Sequence, residues 1–177
     1  MHVAHLAKRF FGALSNAEPA PADERWTRDL LNDDEQALWG RMSAPDRRHA
    51  IGVARLVDAQ IHANLDRTPF KIDSSQPLSS FPAPHTWSLT AALLHDVGKI
   101  SSGLGTWRRA VATLVPRRVC RGSFATYKRH DSIGSELLRT AGSHEFVVAW
   151  AAEHHRPESS WTAPFAIAKI LKACDDD

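Results

Sequence analysis

Seven residues in this chain have side chains that coordinate metals or move protons, and sit where such groups are usually absent: His49, His95, Asp96, His130, His154, His155 and Asp175. Each lies in or at the end of a stretch patterned like a helix with one apolar face. The stretch "AALLHDVGKI", Ala91–Ile100, is the sharpest case: four apolar residues, then His95 and Asp96 side by side. A carboxylate after such a run needs a counter-charge, because burying an unpaired charge is very costly. A divalent cation would supply one and would accept neutral imidazole nitrogens at the same time. The set contains no thiolate, which disfavours a thiol-rich structural zinc site.

To act together, these residues must be brought in by several helices. "NDDEQALWGRM" offers Asn32 as N-cap with Glu35 three residues on. "SAPDRRHAIGVARLVDAQIHANL" follows, with Ser43 as cap and Pro45 in the first turn. Its Ile51, Ala54, Val57 and Ile61 recur at helical spacing, and His49, Gly52, Val53 and Leu56 form the adjacent stripe. "TWSLTAALLHDVGK" reads as a helix ended by Gly98, and "GTWRRAVATLVPRR" as another stopped by Pro116. "HDSIGSELLRTAG" gives a short helix ending at Gly142, and "SHEFVVAWAAEHH" a helix capped by Ser143. "TAPFAIAKILKACDDD" is a last helix with Thr162 as cap and Ile167, Ile170, Leu171 and Cys174 inward. That register favours Asp175 over Asp176 as the inward carboxylate; the alternative for "CDDD" is a solvated acidic tail. No alternating β-branched run is present, so an all-α fold is expected. Adjacent helical residues point about 100° apart, so His95 with Asp96, and His154 with His155, can share an ion only at a helix end. Bundle cores are a common setting for such sites.

Composition sets the frame. The 177 residues are 43% hydrophobic, which fits one globular domain with its own core. Lysine and arginine total 22 against 20 acidic residues, a net charge of +2 that selects no partner. Cys120 and Cys174 form no CxxC pattern and no disulfide framework, so a reducing, cytoplasmic compartment is expected. No apolar run reaches the ~18–20 residues of a membrane span. Lys8 and Arg9 interrupt the apolar pattern at the N-terminus, which argues against a signal peptide. Leu6, Phe10, Phe11 and Leu14 could form a short amphipathic helix; packing on the domain is favoured over a weak peripheral membrane contact. The segment Asp66–Thr86, with four prolines and four serines, cannot be one regular element and reads as a lid or an insertion.

The arrangement resembles the HD-domain superfamily of metal-dependent phosphohydrolases. That family carries a histidine on an early helix, a His-Asp doublet and a late aspartate. His49 in "RRHAIGVARLV", His95 and Asp96 in "LLHDVGK", and Asp175 in "ILKACD" match these positions. The resemblance extends toward the HD-GYP branch and other multi-metal members, through His130 in "KRHDSIGSELL" and the pair His154–His155 in "AAEHHRPE". It runs from about Arg47 to Asp175 and implies an HD-domain helical bundle at 43–177 with a metal site in its core, preceded by a helical extension at 1–42. Two features depart from HD-GYP: "HHRPESSWT" has neither the following glutamate nor the Gly-Tyr-Pro motif, and Pro45 stands where a glutamate is usual. Hydrolysis of cyclic di-GMP is therefore not expected.

What the resemblance implies is hydrolysis of a phosphomonoester or phosphodiester, a nucleotide among the candidates, at one or two divalent ions. His49, His95, Asp96 and Asp175 would hold the first, and Asp96 would bridge to a second held by His130, His154 and His155. This nitrogen-rich set suits manganese, iron, cobalt, nickel or zinc better than magnesium alone. Lys99 matches the family lysine that contacts phosphate. A non-catalytic HD domain that binds a nucleotide or protein partner, and a di-iron HD-fold oxygenase, are alternatives of other classes. Residues 97–130 hold no acidic residue before Asp131 and eight cations, among them Arg108, Arg109, Arg117 and Arg118. This is either a solvated basic face or a rim that attracts an anionic small molecule. Without a recognised binding motif, nucleic acid is not the expected substrate.

Overall fold

A computed structural model describes residues 17–65, 84–103, 122–127 and 129–176. The described residues form helices and short turns, with no strand among them. In order these are α1 (Pro21–Leu30), α2 (Asp33–Trp39), α3 (Ala44–Leu65) and α4 (Pro84–Leu94), then a 3-10 turn at Val97–Ser102. There follow α5 (Ser123–Tyr127), α6 (His130–Thr140), α7 (Glu145–Glu153), a 3-10 turn at Glu158–Ser160, and α8 (Phe165–Asp176). No helix among the described residues is long and apolar enough to cross a membrane.

The centre of the bundle is α4. Leu89, Ala91, Ala92, Leu93 and Leu94 are all buried, because α3 and α7 cover it, with α1 and α8 also in contact. A helix apolar on every side must be enclosed in this way. α3 turns Ala50, Ile51, Val53, Ala54 and Val57 to the core, and α8 packs across it and α4. The second stripe expected on α3 is corrected: Gly52 is exposed and Leu56 is 43% exposed, so the buried face centres on Ala50, Val53, Ala54 and Val57. Leu31, Leu38, Trp39 and Met42 join the same core from the N-terminal side. Trp39 Nε1–H donates to Glu24 at 3.0 Å, and Glu24 pairs with Arg47 at 2.8 Å, which fastens α1 and α2 to the start of α3.

Some local signals in the sequence match the fold and others do not. Asn32 and Glu35 form the expected capping box, at 2.8 and 2.9 Å. Gly142 follows α6 with φ 67°, the left-handed conformation glycine adopts freely. Gly98, however, does not end a helix: α4 stops at Leu94, and Gly98 lies inside the 3-10 turn that packs on α6. The cap of α7 is His144, whose Nδ1 accepts from Phe146 N–H at 3.2 Å, rather than Ser143. His144 also stacks on Trp87 with ring centroids 4.7 Å apart. Thr162 does not cap α8, which opens from the Pro164 carbonyl; it is held by Glu153 instead. Pro84, His85 and Thr86 are helical, so the irregular segment ends earlier than expected. The rest of that segment, the helix expected in "GTWRRAVATLVPRR" and Cys120 lie outside the described residues. Trp161 packs edge-to-face on Trp150 and donates to the Glu153 and Arg156 carbonyls, a structural role.

Candidate metal centre

His95 and Asp96 occupy the turn directly after α4, where the chain leaves the helical path and adjacent side chains need not diverge. Both are buried, at 2% and 4% exposure. His154 and His155 likewise follow the last residue of α7, His154 fully buried and His155 the exposed member of the group. His130 opens α6, His49 comes from α3, and Asp175 from the last turn of α8. The seven side chains that the sequence singled out thus arrive from five places and meet around one carboxylate, that of Asp96.

The two oxygens of Asp96 face in different directions. Oδ2 lies 3.3 Å from His95 Nε2 and pairs with Lys99 Nζ. Oδ1 lies 3.3 Å from His130 Nε2 and 3.8 Å from His154 Nε2. On the first side, Asp175 Oδ1 is 3.1 Å from His49 Nε2 and 3.5 Å from His95 Nε2. On the second, His130 Nε2 and His155 Nε2 are 3.1 Å apart. The ligand atoms of His49, His95 and Asp96 lie within 4.8 Å of one another, and so do those of Asp96, His130, His154 and His155. Asp96 belongs to both groups. Asp176 instead pairs with Lys172 at the surface.

Three of the histidines are oriented in the same way. The Nδ1 of His95 faces the Ala92 carbonyl at 2.8 Å, that of His130 the Tyr127 carbonyl at 2.8 Å, and that of His154 the Ala151 carbonyl at 3.0 Å. A carbonyl only accepts, so each Nδ1 carries a proton and donates it. Each Nε2 is then the nitrogen turned toward Asp96, and the main-chain acceptor fixes each ring in the orientation from which Nε2 can bind a metal. Sequence reading missed these acceptors because they are main-chain atoms. The signal was available in the position of each histidine just beyond or at the start of a helical turn.

At His154 an unpartnered imidazole nitrogen is turned on an unpartnered carboxylate oxygen 3.8 Å away, and a cation between them would satisfy both. Asp96 Oδ1 and His154 Nε2 are both buried without a hydrogen-bond partner. Such groups are rare in folded proteins, and an ion is one standard explanation. Burial pushes the His154 imidazole down, so it stays neutral and cannot itself donate from Nε2. For His155, desolvation and then the neighbouring His154 and His130 hold the pKa down at about 4. Burial would raise Asp96, but Lys99 and His95 hold it well below the usual carboxylate range. Burial would lower His95, but Asp96 and Asp175 outweigh it and raise the pKa to about 9. Asp175 is also depressed: burial would raise it, and the His49 contact and His95 pull it down.

The spacing fits ions of the first-row kind. With bonds of about 2.0–2.1 Å, two ligands on one ion stand about 3.0–3.4 Å apart. Most of the contacts above fall in or near that range. The donor set is imidazole and carboxylate, the chemistry that suits manganese, iron, cobalt, nickel and zinc. Lys99 sits at the edge of this cluster, its side chain 18% exposed, paired with Asp96 rather than reaching into solvent. Of the basic residues noted between Val97 and His130, Arg129 is exposed, while Arg108, Arg109, Arg117, Arg118, Arg121 and Lys128 lie outside the described residues.

Comparison with known families gives one match: the model of the HD domain matches residues 48–176. No curated protein and no solved structure matches the chain.

Proposed function

The chain belongs to the HD-domain family, and from that premise we propose that it is a metal-dependent phosphohydrolase acting on a phosphomonoester or phosphodiester. The observation that carries this reading is the split carboxylate of Asp96, with one oxygen toward His95 and the other, buried and unsatisfied, toward His130 and His154. A carboxylate shared by two groups of imidazoles would suit one or two divalent ions. His49, His95, Asp96 and Asp175 would hold the first, and Asp96, His130, His154 and His155 the second.

Divalent ions bound there would neutralise phosphoryl oxygens and bring the pKa of water toward neutrality. The chain's own groups prepare for this. His154 and His155 stay uncharged, so they accept a cation without first losing a proton. His95 would give up its Nε2 proton on holding a cation beside Asp96 and Asp175. Lys99 remains an ammonium: burial works against its charge, and Asp96 more than restores it. In this reading it would contact a phosphoryl oxygen and stabilise the negative charge that grows there. The phosphate-bearing small molecule is the partner this centre recognises.

The test is reconstitution with Mn²⁺ or Fe²⁺, metal analysis, and a panel of phosphomonoesters and diesters. One to two ions per chain are expected, with turnover that vanishes in chelator and in Asp96→Asn. A chain that takes up no metal, or turnover that survives both treatments, defeats the proposal.

A further inference from the structure

A second group of metal-type ligands lies away from this centre. Asp58 and His62 stand one turn apart on α3, at the spacing that places two side chains on one helix face. His85 comes from the first turn of α4. His85 Nε2 is 2.6 Å from Asp58 Oδ1, and His62 Nδ1 is 3.4 Å from the same oxygen. His62 Nδ1 is also 2.8 Å from the main-chain carbonyl oxygen of Asp58, which holds the ring over the carboxylate. The two imidazoles meet edge to face, centroids 5.0 Å apart. One ligand atom from each of the three residues lies within 4.8 Å of the others. Asp58 is nine residues beyond His49 on the same helix, about 13 Å along its axis at 1.5 Å per residue, so no ion could serve both places.

We propose that Asp58, His62 and His85 form a second divalent-metal site, of the zinc, nickel or cobalt class, that clamps α3 to the start of α4. Two imidazoles and one carboxylate select borderline cations over magnesium or calcium. The side chains are 63% exposed for His62, 33% for His85 and 29% for Asp58, which leaves room for water to complete the coordination shell. A simple ion pair accounts for His85 against Asp58. The Asp58 carbonyl takes the His62 Nδ1–H, which leaves Nε2 as the nitrogen that His62 offers a cation beside His85 and the carboxylate. A cation satisfies all three at once. The site would tie together the two helices that residues 66–83 connect, and an ion bound only to the folded chain stabilises it by mass action.

The experiment is Zn²⁺ binding to tag-free protein by equilibrium dialysis, with thermal melts, for wild type, His62→Ala and His85→Ala. Both substitutions lie at partly exposed positions, and circular dichroism checks that the variants fold. Wild type should retain one more equivalent of Zn²⁺ than either variant and show a larger Zn²⁺-induced rise in Tm. The same comparison in an Asp96→Asn background separates this site from the buried centre: the additional equivalent should persist there and disappear on adding His62→Ala. Equal Zn²⁺ content and equal Tm shifts in wild type and both variants overturn the proposal. So does loss of the additional equivalent on Asp96→Asn alone, because that ion would then belong to the centre in the core.

Discussion

The main chain at Gly98 passes so close to the first turn of α6 that a Cβ there would stand 1.9 Å from the His130 carbonyl oxygen and 2.6 Å from the Gly134 nitrogen. Both are backbone atoms of a helix and cannot swing aside. Gly98→Ala must therefore push α6 away, and His130 with it. Overpacking of this kind costs about 1–3 kcal/mol or more. Thermal melts should show the loss. Metal analysis should show the ion on the His130 side lost before the one on the His49 side. A variant with unchanged Tm and metal content would mean that the turn and α6 separate easily.

Asp96 compensates two buried cations in the metal-free protein, Lys99 and protonated His95. Asp96→Asn keeps the shape and removes the charge. In excess chelator at pH 7 the variant should be less stable than wild type by about 1–3 kcal/mol, the cost of leaving hydrogen-bonding groups without their partner. Denaturant unfolding with and without chelator measures this. A variant more stable than wild type in chelator would show that Asp96 is a strained anion awaiting its ion.

The pH dependence turns on His95. Its folded pKa of about 9 lies above the ordinary value of 6.5, so its contribution to stability is fully present below pH 6.5 and is lost as pH rises through about 9. In chelator, stability should decline over that interval in wild type and stay flatter in His95→Gln. Metal uptake displaces the same proton, so Mn²⁺ affinity should rise about tenfold per pH unit over this interval and level off above it. Affinity independent of pH would remove His95 from the ligand set.

Lys99→Ala separates charge compensation from coordination. An ammonium is no ligand, and it competes with any cation for Asp96 Oδ2. The substitution should therefore raise metal affinity severalfold. It should lower turnover by roughly ten- to a hundred-and-fifty-fold, the equivalent of one charge-assisted contact of ~1.5–3 kcal/mol. Loss of metal on this substitution would recast Lys99 as a structural support.

Glu153 precedes the two histidines and holds the next segment in place. Buried at 5% exposure, it accepts from Thr162 N–H at 2.8 Å, Thr162 Oγ1–H at 2.6 Å and Ala163 N–H at 3.3 Å. Glu153→Gln turns one acceptor into a donor and should cost about 1–3 kcal/mol. Amide exchange at Thr162 and Ala163 should quicken, ahead of the rest of α8. Unchanged exchange there would show that the α8 approach is fixed by packing alone.

The helices around Ile51, Leu93 and Val147 were legible in the sequence because apolar spacing reports a buried face directly. The seven polar residues stood out for the same reason, as exceptions to that pattern. What escaped was everything decided by neighbours distant in sequence. Gly98 looked like a helix terminator, yet its lack of a Cβ answers to α6. Ser143 looked like a cap, yet His144, stacked on Trp87, takes that place. Thr162 read as a cap from its type alone, while its hydroxyl was committed to a carboxylate nine residues earlier. Local chemistry names the residues able to do a job, and tertiary contact chooses among them.

The acceptors that orient His95, His130 and His154 are main-chain oxygens of Ala92, Tyr127 and Ala151. Mutation changes side chains and leaves carbonyls where they were. Where supporting carboxylates hold ligand histidines, every supporter is one more position at which a single nucleotide change can disable the centre. For these three histidines that outer layer presents no such target. Replacing Ala92 or Ala151 by another small residue would leave the tilt and tautomer of the imidazole untouched. Genetic vulnerability is concentrated instead in the ligands themselves and in the few sites of close backbone approach. A random-mutagenesis map of the centre should accordingly be sparse and sharply bounded, with tolerant neighbours beside intolerant ligands.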